Sequence, residues 1–203
     1  MENVHAGWRR KLMKYIADTV DFQLEEPTVV TLGKFDGRHR GHQKLLHTME
    51  ELKETLGYAT AIFTFSTAPL SLVTGEAATV ITTSEERRHN MEKMGIDYLV
   101  EYPFTDDVRK MDPSVFVKDI LVKRMRAKAM VVGPDCSFGY KGAGNVELLR
   151  SLSKELGFEL YVIQKEKDHR RDISSTYIRE ELEKGNVEKA IQNALLLLCE
   201  KLK

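Results

Sequence analysis

His39 and His42 stand three residues apart within residues 33–46, GKFDGRHRGHQKLL. On the first turn of a helix, two imidazoles at that spacing sit beside backbone N–H groups that have no intrahelical partner, at the positive end of the helix dipole. Such a place binds anions, phosphates above all. The same spacing also suits two incidental surface histidines, so the neighbouring residues must decide. Residues 28–32, TVVTL, are short, apolar and β-branched, as a buried strand is. Leu45, Leu46, Met49, Leu52 and Leu56 follow at helical spacing. The histidines therefore fall at a strand–turn–helix junction, where glycines let the chain turn sharply. Ends of strands at such turns are where open α/β sheets bind ligands.

Two further segments follow strand-like runs. Residues 131–149, VVGPDCSFGYKGAGNVELL, form a long glycine-rich loop that carries Asp135 and Phe138. Residues 171–182, RDISSTYIREEL, place Ser174, Ser175 and Thr176 at a helix start, with Arg179 one turn further along the same face. Alone, the third segment reads as a helix cap with a solvated arginine. Facing the same sheet edge as His39 and His42, it becomes the second half of a phosphate clamp. Neither G-x-x-x-x-G-K-S/T nor G-x-G-x-x-G occurs, which disfavours P-loop and dinucleotide-dehydrogenase chemistry. No G-x-S-x-G elbow is present. The scattered Asp and Glu residues suggest no protein-built metal cage, though a Mg²⁺ carried on substrate phosphates needs few ligands.

The elements that must position these residues alternate. Strands are predicted at residues 28–32, 58–65, 97–102, 128–133 and 158–163. Helices are predicted after residue 39, from a capping box at residues 83–86 to Gly95, from Asp112-Pro113 to about Arg126, and from an Asn145 cap. Alternation of this kind implies right-handed crossovers, and hence an α/β, Rossmann-like parallel sheet of about five strands with helices on both faces. Val187, Ala190, Ile191, Ala194, Leu195 and Leu198 add an apolar stripe for C-terminal helices. The chain of 203 residues is 42% apolar and 31% charged, with equal numbers of basic and acidic residues, so no global field argues for nucleic acid or a membrane surface. No apolar run approaches a membrane span, and the first twenty residues lack the apolar core of a secretory signal. The two cysteines, Cys136 and Cys199, form no C-x-x-C, and a reducing cytoplasm is the simplest location.

Three ordered motifs carry a resemblance. GKFDGRHRGH (33–42), VVGPDCSFG (131–139) and ISSTYIR (173–179) resemble the nucleotidylyltransferase superfamily. More closely, they resemble the FMN adenylyltransferase (FAD synthetase) module of bacterial bifunctional riboflavin kinase/FAD synthetases. Its motifs read G-x-F-D-G-x-H-x-G-H, V-V-G-x-D-F-x-F-G and I-S-S-T-x-I-R. The resemblance spans residues 14 to about 195. It implies transfer of AMP from ATP to FMN, giving FAD and pyrophosphate, with Mg²⁺ associated with the substrate. It further implies that His39, His42, Ser175, Thr176 and Arg179 act on the ATP phosphates. Gly33, Lys34, Phe35, Asp36 and Gly41 would form the ATP turn, and Phe65, Asp135 and Phe138 would meet the flavin. Residues 1–13 are expected to be an N-terminal extension and residues 14–203 the adenylyltransferase domain, without the riboflavin kinase barrel that bifunctional members carry.

Some positions depart from the family pattern. Lys34 replaces the usual Asn. Ser66-Thr67-Ala68 replace the acidic residue, proline and histidine of T-F-D/E-P-H-P, and Cys136 replaces an aromatic. The ATP half thus matches and the acceptor half is altered. Two alternatives stay open at this point: a nucleotidylyltransferase acting on another phosphorylated acceptor, and a non-catalytic flavin- or nucleotide-binding protein.

Overall fold

The computed structural model describes residues 12–36, 39–66 and 81–193. Six parallel strands, β1 (Lys14–Ala17), β2 (Thr28–Leu32), β3 (Ala59–Phe65), β4 (Tyr98–Tyr102), β5 (Ala127–Val132) and β6 (Glu159–Val162), pair in the order β1-β4-β3-β2-β5-β6. The predicted strands lie where their β-branched runs put them, within a residue at each end. The sheet has six strands rather than about five, because residues 14–17, KYIA, join it as an edge strand. That segment has little strand signature of its own. It is held by pairing with β4, Tyr15 opposite Leu99 and Ile16 opposite Val100, and by a hydrogen bond from the Tyr15 hydroxyl to Glu101 Oε2 at 2.5 Å. Tertiary pairing here overrides a weak local preference.

Both faces of the sheet are covered. On one, Val29, Ile62, Leu99, Ala129 and Val131 meet Leu46 and Met49 of α1 (Arg40–Leu56) and Met91 of α2 (Ser84–Lys93). On the other, Val30, Ala61, Phe63, Val100, Met130 and Val132 pack with Val117, Leu121, Leu149 and Leu152. Alternate residues of each strand thus serve opposite cores, as the period of two requires. Full burial of one such aliphatic side chain contributes about 1.5–3 kcal/mol.

Local signals set the helix ends. Thr83 and Glu86 form the predicted capping box of α2. A single turn, α3 (Asp106–Arg109), follows β4, capped by Thr105. Asp112 accepts from the Ser114 and Val115 amides, at 2.8 and 3.3 Å, to open α4. This helix starts as an α-turn (Pro113–Val115) and continues as a π-helix (Phe116–Arg124). The wider turn, closed by Met125 N–H on the Ile120 carbonyl at 2.9 Å, brings Phe116, Val117, Ile120 and Leu121 all to the core. It also ends the helix two residues earlier than the sequence suggests, since Arg126 lies in the left-handed region at φ 55°. Asn145 caps α5 (Val146–Leu156) through Leu148 N–H.

After β6 the chain makes a small antiparallel hairpin, β7 (Lys167–Asp168) and β8 (Arg171–Asp172), that the sequence does not announce. Two helices follow, α6 (Ser175–Glu183) and α7 (Val187–Asn193), with Ala190 buried against Ile178. Ala194, Leu195 and Leu198 of the predicted stripe lie outside the described residues, as do residues 1–11. Among the described residues no helix is long and apolar enough to cross a membrane.

The strand order has one consequence for function. From β2 the chain proceeds outward through β3 to β4, then returns to the other side of β2 to lay down β5 and β6. The direction of winding reverses between β2 and β5, and the carboxyl edge at such a point opens a crevice.

Candidate functional site

A cavity of about 410 Å³ lies at that edge. Its wall is built from chain just beyond the strands: Gly33 and Lys34 after β2, Phe65 at the end of β3, residues 133–138 after β5, and Ile163 to Lys165 after β6. His39, Gly41 and His42 of the first turn of α1 and Ser174, the cap of α6, complete it. The structure therefore brings Gly33, Lys34, His39, Gly41, His42, Phe65, Asp135 and Phe138 together around one space.

The two histidines stack on each other, ring centroids 3.6 Å apart, and Phe35 covers His42 from behind at 4.7 Å. Gly41 makes this stack possible: a Cβ there would stand 3.1 Å from His39 Nδ1 and 3.3 Å from its Cε1. Burial pushes the His39 imidazole down to about 4, against the opposing pull of Asp135. Burial, then the neighbouring His39, holds His42 well below its ordinary value. Both rings are neutral at pH 7 and serve as hydrogen-bonding groups rather than fixed cations. The Nδ1 atoms of both are buried without a partner. No side chain caps α1, and neither α1 nor α6 carries an acidic residue in its first turn. The start of α1 thus lines the cavity with no acidic residue in its first turn, and the α6 cap Ser174 lines it as well, an arrangement suited to an anion.

Asp36, Arg179 and Ser175 lie behind this wall. The Asp36 carboxylate is 1% exposed. Oδ1 accepts from the Ile81 and Thr82 amides and the Thr82 hydroxyl at 3.0, 2.9 and 3.1 Å. Oδ2 accepts from Arg179 Nη2 at 3.2 Å. The Ser175 hydroxyl donates to the Asp36 carbonyl at 2.6 Å. The first and third motifs are therefore joined at one buried residue. Asp36 and Phe35, both buried, and Ser175, Thr176 and Arg179 do not form part of the cavity wall; Thr176 is exposed. Arg179 keeps its Nε buried and unpartnered.

Another part of the lining is aromatic. Phe63 meets Phe65 and Phe116 edge-on at 5.2 Å, and Phe116 meets Phe138 at 5.8 Å. Phe138 and Gly144 form an antiparallel bridge that folds the glycine-rich loop back on itself. Burial pushes the Cys136 thiol up to about 11, so it is no thiolate at neutral pH and no nucleophile. Ser66 follows β3, whereas Thr67, Ala68 and Pro69 lie outside the described residues. Among the described residues no group of three or more His, Cys, Asp or Glu could hold a metal ion.

Phe63, Phe116, Gln164 and Lys165 belong to the wall and escape sequence reasoning. The signal that finds Lys165 is positional: like the first two motifs, it stands just past the carboxyl end of a strand of the main sheet.

The description FAD synthetase attaches to the family model that matches residues 21–177. A bifunctional riboflavin kinase/FMN adenylyltransferase of Escherichia coli (strain K12) is 32% identical over 85% of this chain and 55% of its own length. One from Listeria monocytogenes is 31% identical over 86% of this chain and 55% of its own. The chain thus spans about half the length of these curated relatives. The crystal structure of a macrolide-efflux protein from Streptococcus pneumoniae superposes with a TM-score of 0.77 at 25% identity, covering 90% of this chain and 60% of that one.

Proposed function

The chain belongs to the FAD synthetase family, and on that premise we propose that it transfers AMP from ATP to FMN. A phosphate oxygen of FMN attacks the α-phosphorus, the bond to the bridging oxygen breaks, and pyrophosphate leaves as FAD forms. The observation that carries this reading is the switch-point cavity, which is lined both by the start of α1 with the α6 cap Ser174 and by Phe63, Phe65, Phe116 and Phe138. The first set suits a triphosphate and the second a flat ring.

Transfer between two anions asks chiefly for in-line positioning and for donors aimed at the charge that grows on the α-phosphate and the leaving group. His39 and His42 each offer one N–H from a neutral ring. The amides of the α1 start add donors that need no reorganisation. Arg179, braced by Asp36 through Nη2, stands behind the wall and would have to turn toward the cavity to bring its fork to the β- and γ-phosphates. Ser175 and Thr176 flank it, and Gly33, Lys34, Phe35, Asp36 and Gly41 shape the turn. Phe65 and Phe138 stack on the isoalloxazine side, with Asp135 beside them. A Mg²⁺ ion would come in on the triphosphate and offset its charge. The reaction suits a cytoplasmic protein.

Incubation of the purified chain with ATP, Mg²⁺ and FMN should give equimolar FAD and pyrophosphate. Pyrophosphate released only with a different phosphorylated acceptor would point to a related nucleotidylyltransferase. Binding of both substrates without turnover would leave a non-catalytic binding protein.

A further inference from the structure

We propose that Lys165 is the specificity-determining cation that receives the phosphate of the acceptor, a proposal that rests on the adenylyltransferase reading above. Its ammonium lies 2.9 Å from Asp135 Oδ2 and 3.5 Å from Asp172 Oδ2. The side chain is 28% exposed and lines the cavity together with His39, Asp135 and Phe138.

Charge balance gives this lysine its role. An acceptor phosphate must come close to the α-phosphate of ATP, so the acceptor half needs a cation of its own. The stacked histidines are neutral at pH 7. Arg179 is tied to Asp36 and stands outside the cavity wall. Lys34 lines the cavity from the β2 side, at the ATP turn. Lys165 lines it from the β6 side, against the loop that carries Asp135 and Phe138. Asp135 alone in the lining would repel a phosphate; Lys165, in the same lining, offsets that charge, while Asp172 stands outside the lining. The hydrogen bond that its ammonium donates to Asp135 raises the Lys165 pKa above its ordinary value, which keeps it charged.

The segment that carries Lys165 is fixed at its base. The Glu166 carboxylate takes Lys44 of α1 at 2.9 Å and stands 4.0 Å from Arg40. The Glu166 carbonyl accepts from Ile173 N–H at 2.9 Å. Asp172 reaches Lys165 from the other arm of the β7–β8 hairpin. An exposed ion pair with no ligand duty contributes little to stability.

The test compares FMN with riboflavin, which differ in the phosphate alone. Dissociation constants for both are measured by quenching of flavin fluorescence on the full chain, for the native protein, Lys165→Gln and Lys165→Arg. The expected result is native preference for FMN, a loss of about tenfold in FMN affinity in Lys165→Gln with riboflavin affinity unchanged, and substantial recovery in Lys165→Arg. A purely structural role would lower thermal stability and leave the FMN-to-riboflavin ratio as it was. A native FMN preference that survives in Lys165→Gln overturns the assignment of Lys165 while the adenylyltransferase reading stands. A native protein that binds neither flavin overturns both.

Discussion

Arg179 Nη2 and Asp36 Oδ2 lie 3.2 Å apart, joining residues that are 143 positions distant in the chain. Because the same carboxylate also takes the amides of Ile81 and Thr82, and the Asp36 carbonyl takes the Ser175 hydroxyl, Asp36 ties three segments together: the turn after β2, the approach to α2 and the start of α6. A buried acceptor with this many donors is costly to remove, since every donor is left unsatisfied. Asp36→Ala should therefore lose about 2–4 kcal/mol of stability, read as a lower denaturation midpoint. It should also slow turnover by loosening Arg179. In a cycle with Arg179→Ala, the two substitutions should couple by about 0.5–3 kcal/mol. Strict additivity would show that Asp36 does not position Arg179.

His42 and Arg179 carry the transition-state charge in the mechanism proposed above. Loss of a donor made for that charge typically costs about 10²–10³ in rate. His42→Ala and Arg179→Ala should each fall in that range for FAD formation while the circular dichroism spectrum stays native. Near-normal turnover in both would sink the clamp.

The depressed histidines give stability a definite pH dependence. In the unfolded chain a histidine takes up its proton near 6.5. In the fold His39 takes it up only at about 4, and His42 still lower than its ordinary value, burial being the first cause for both. Between those limits the unfolded state binds more protons, so stability is full above about pH 6.5 and falls as the pH drops toward 4. Each histidine contributes at most about 1.4 kcal/mol per pH unit within that window. Urea midpoints across pH 4–8 should fall on the acid side, and the decline should be shallower in the His39→Asn, His42→Asn double variant. Parallel curves would mean that the imidazoles are not buried neutral.

Much of this arrangement is legible in the residues alone. The strands β2 to β6 announce themselves because each is a β-branched apolar run bounded by turn signals, and the helix caps at Thr83, Asp112 and Asn145 are local chemistry. The residues of the first two motifs could be found because loops after parallel strands share one sheet edge, whereas the third motif follows the β7–β8 hairpin. Features that depend on distant partners were not legible. Residues 14–17 become a strand only beside β4, and the π-turns of α4 arise from packing around Phe116 and Leu121. Spacing also could not tell Asp36 or Arg179, joined behind the wall, from residues that line it. Lys165 lies in a lysine-rich run, KEK, where only the fold distinguishes it from Lys167.

Phe138 supplies the last prediction. Its backbone exchanges two hydrogen bonds with Gly144, 3.1 Å from Phe138 N–H and 2.8 Å from Gly144 N–H, so neither main chain can shift without breaking the bridge. The ring, 8% exposed, lies flat against the glycine: a Cβ at residue 144 would stand 2.4 Å from Cε2 and 2.5 Å from Cδ2. In Gly144→Ala the ring must therefore turn away from its place beside Phe116. Overpacking of this kind costs about 1–3 kcal/mol, and the side chain can relieve part of it by rotating into the cavity. The rotated ring occupies space on the aromatic wall and leaves the stacking surface disordered. Phe138 meets Phe116 and neither of the stacked histidines, which stay in place. Gly144→Ala should bind FMN about tenfold more weakly, the equivalent of one lost aromatic contact, and should bind a non-hydrolysable ATP analogue as the native protein does. Calorimetric titration of each ligand separates the two effects. Equal weakening of both ligands would mean general loss of structure, and unchanged FMN affinity would mean that Phe138 does not face the flavin.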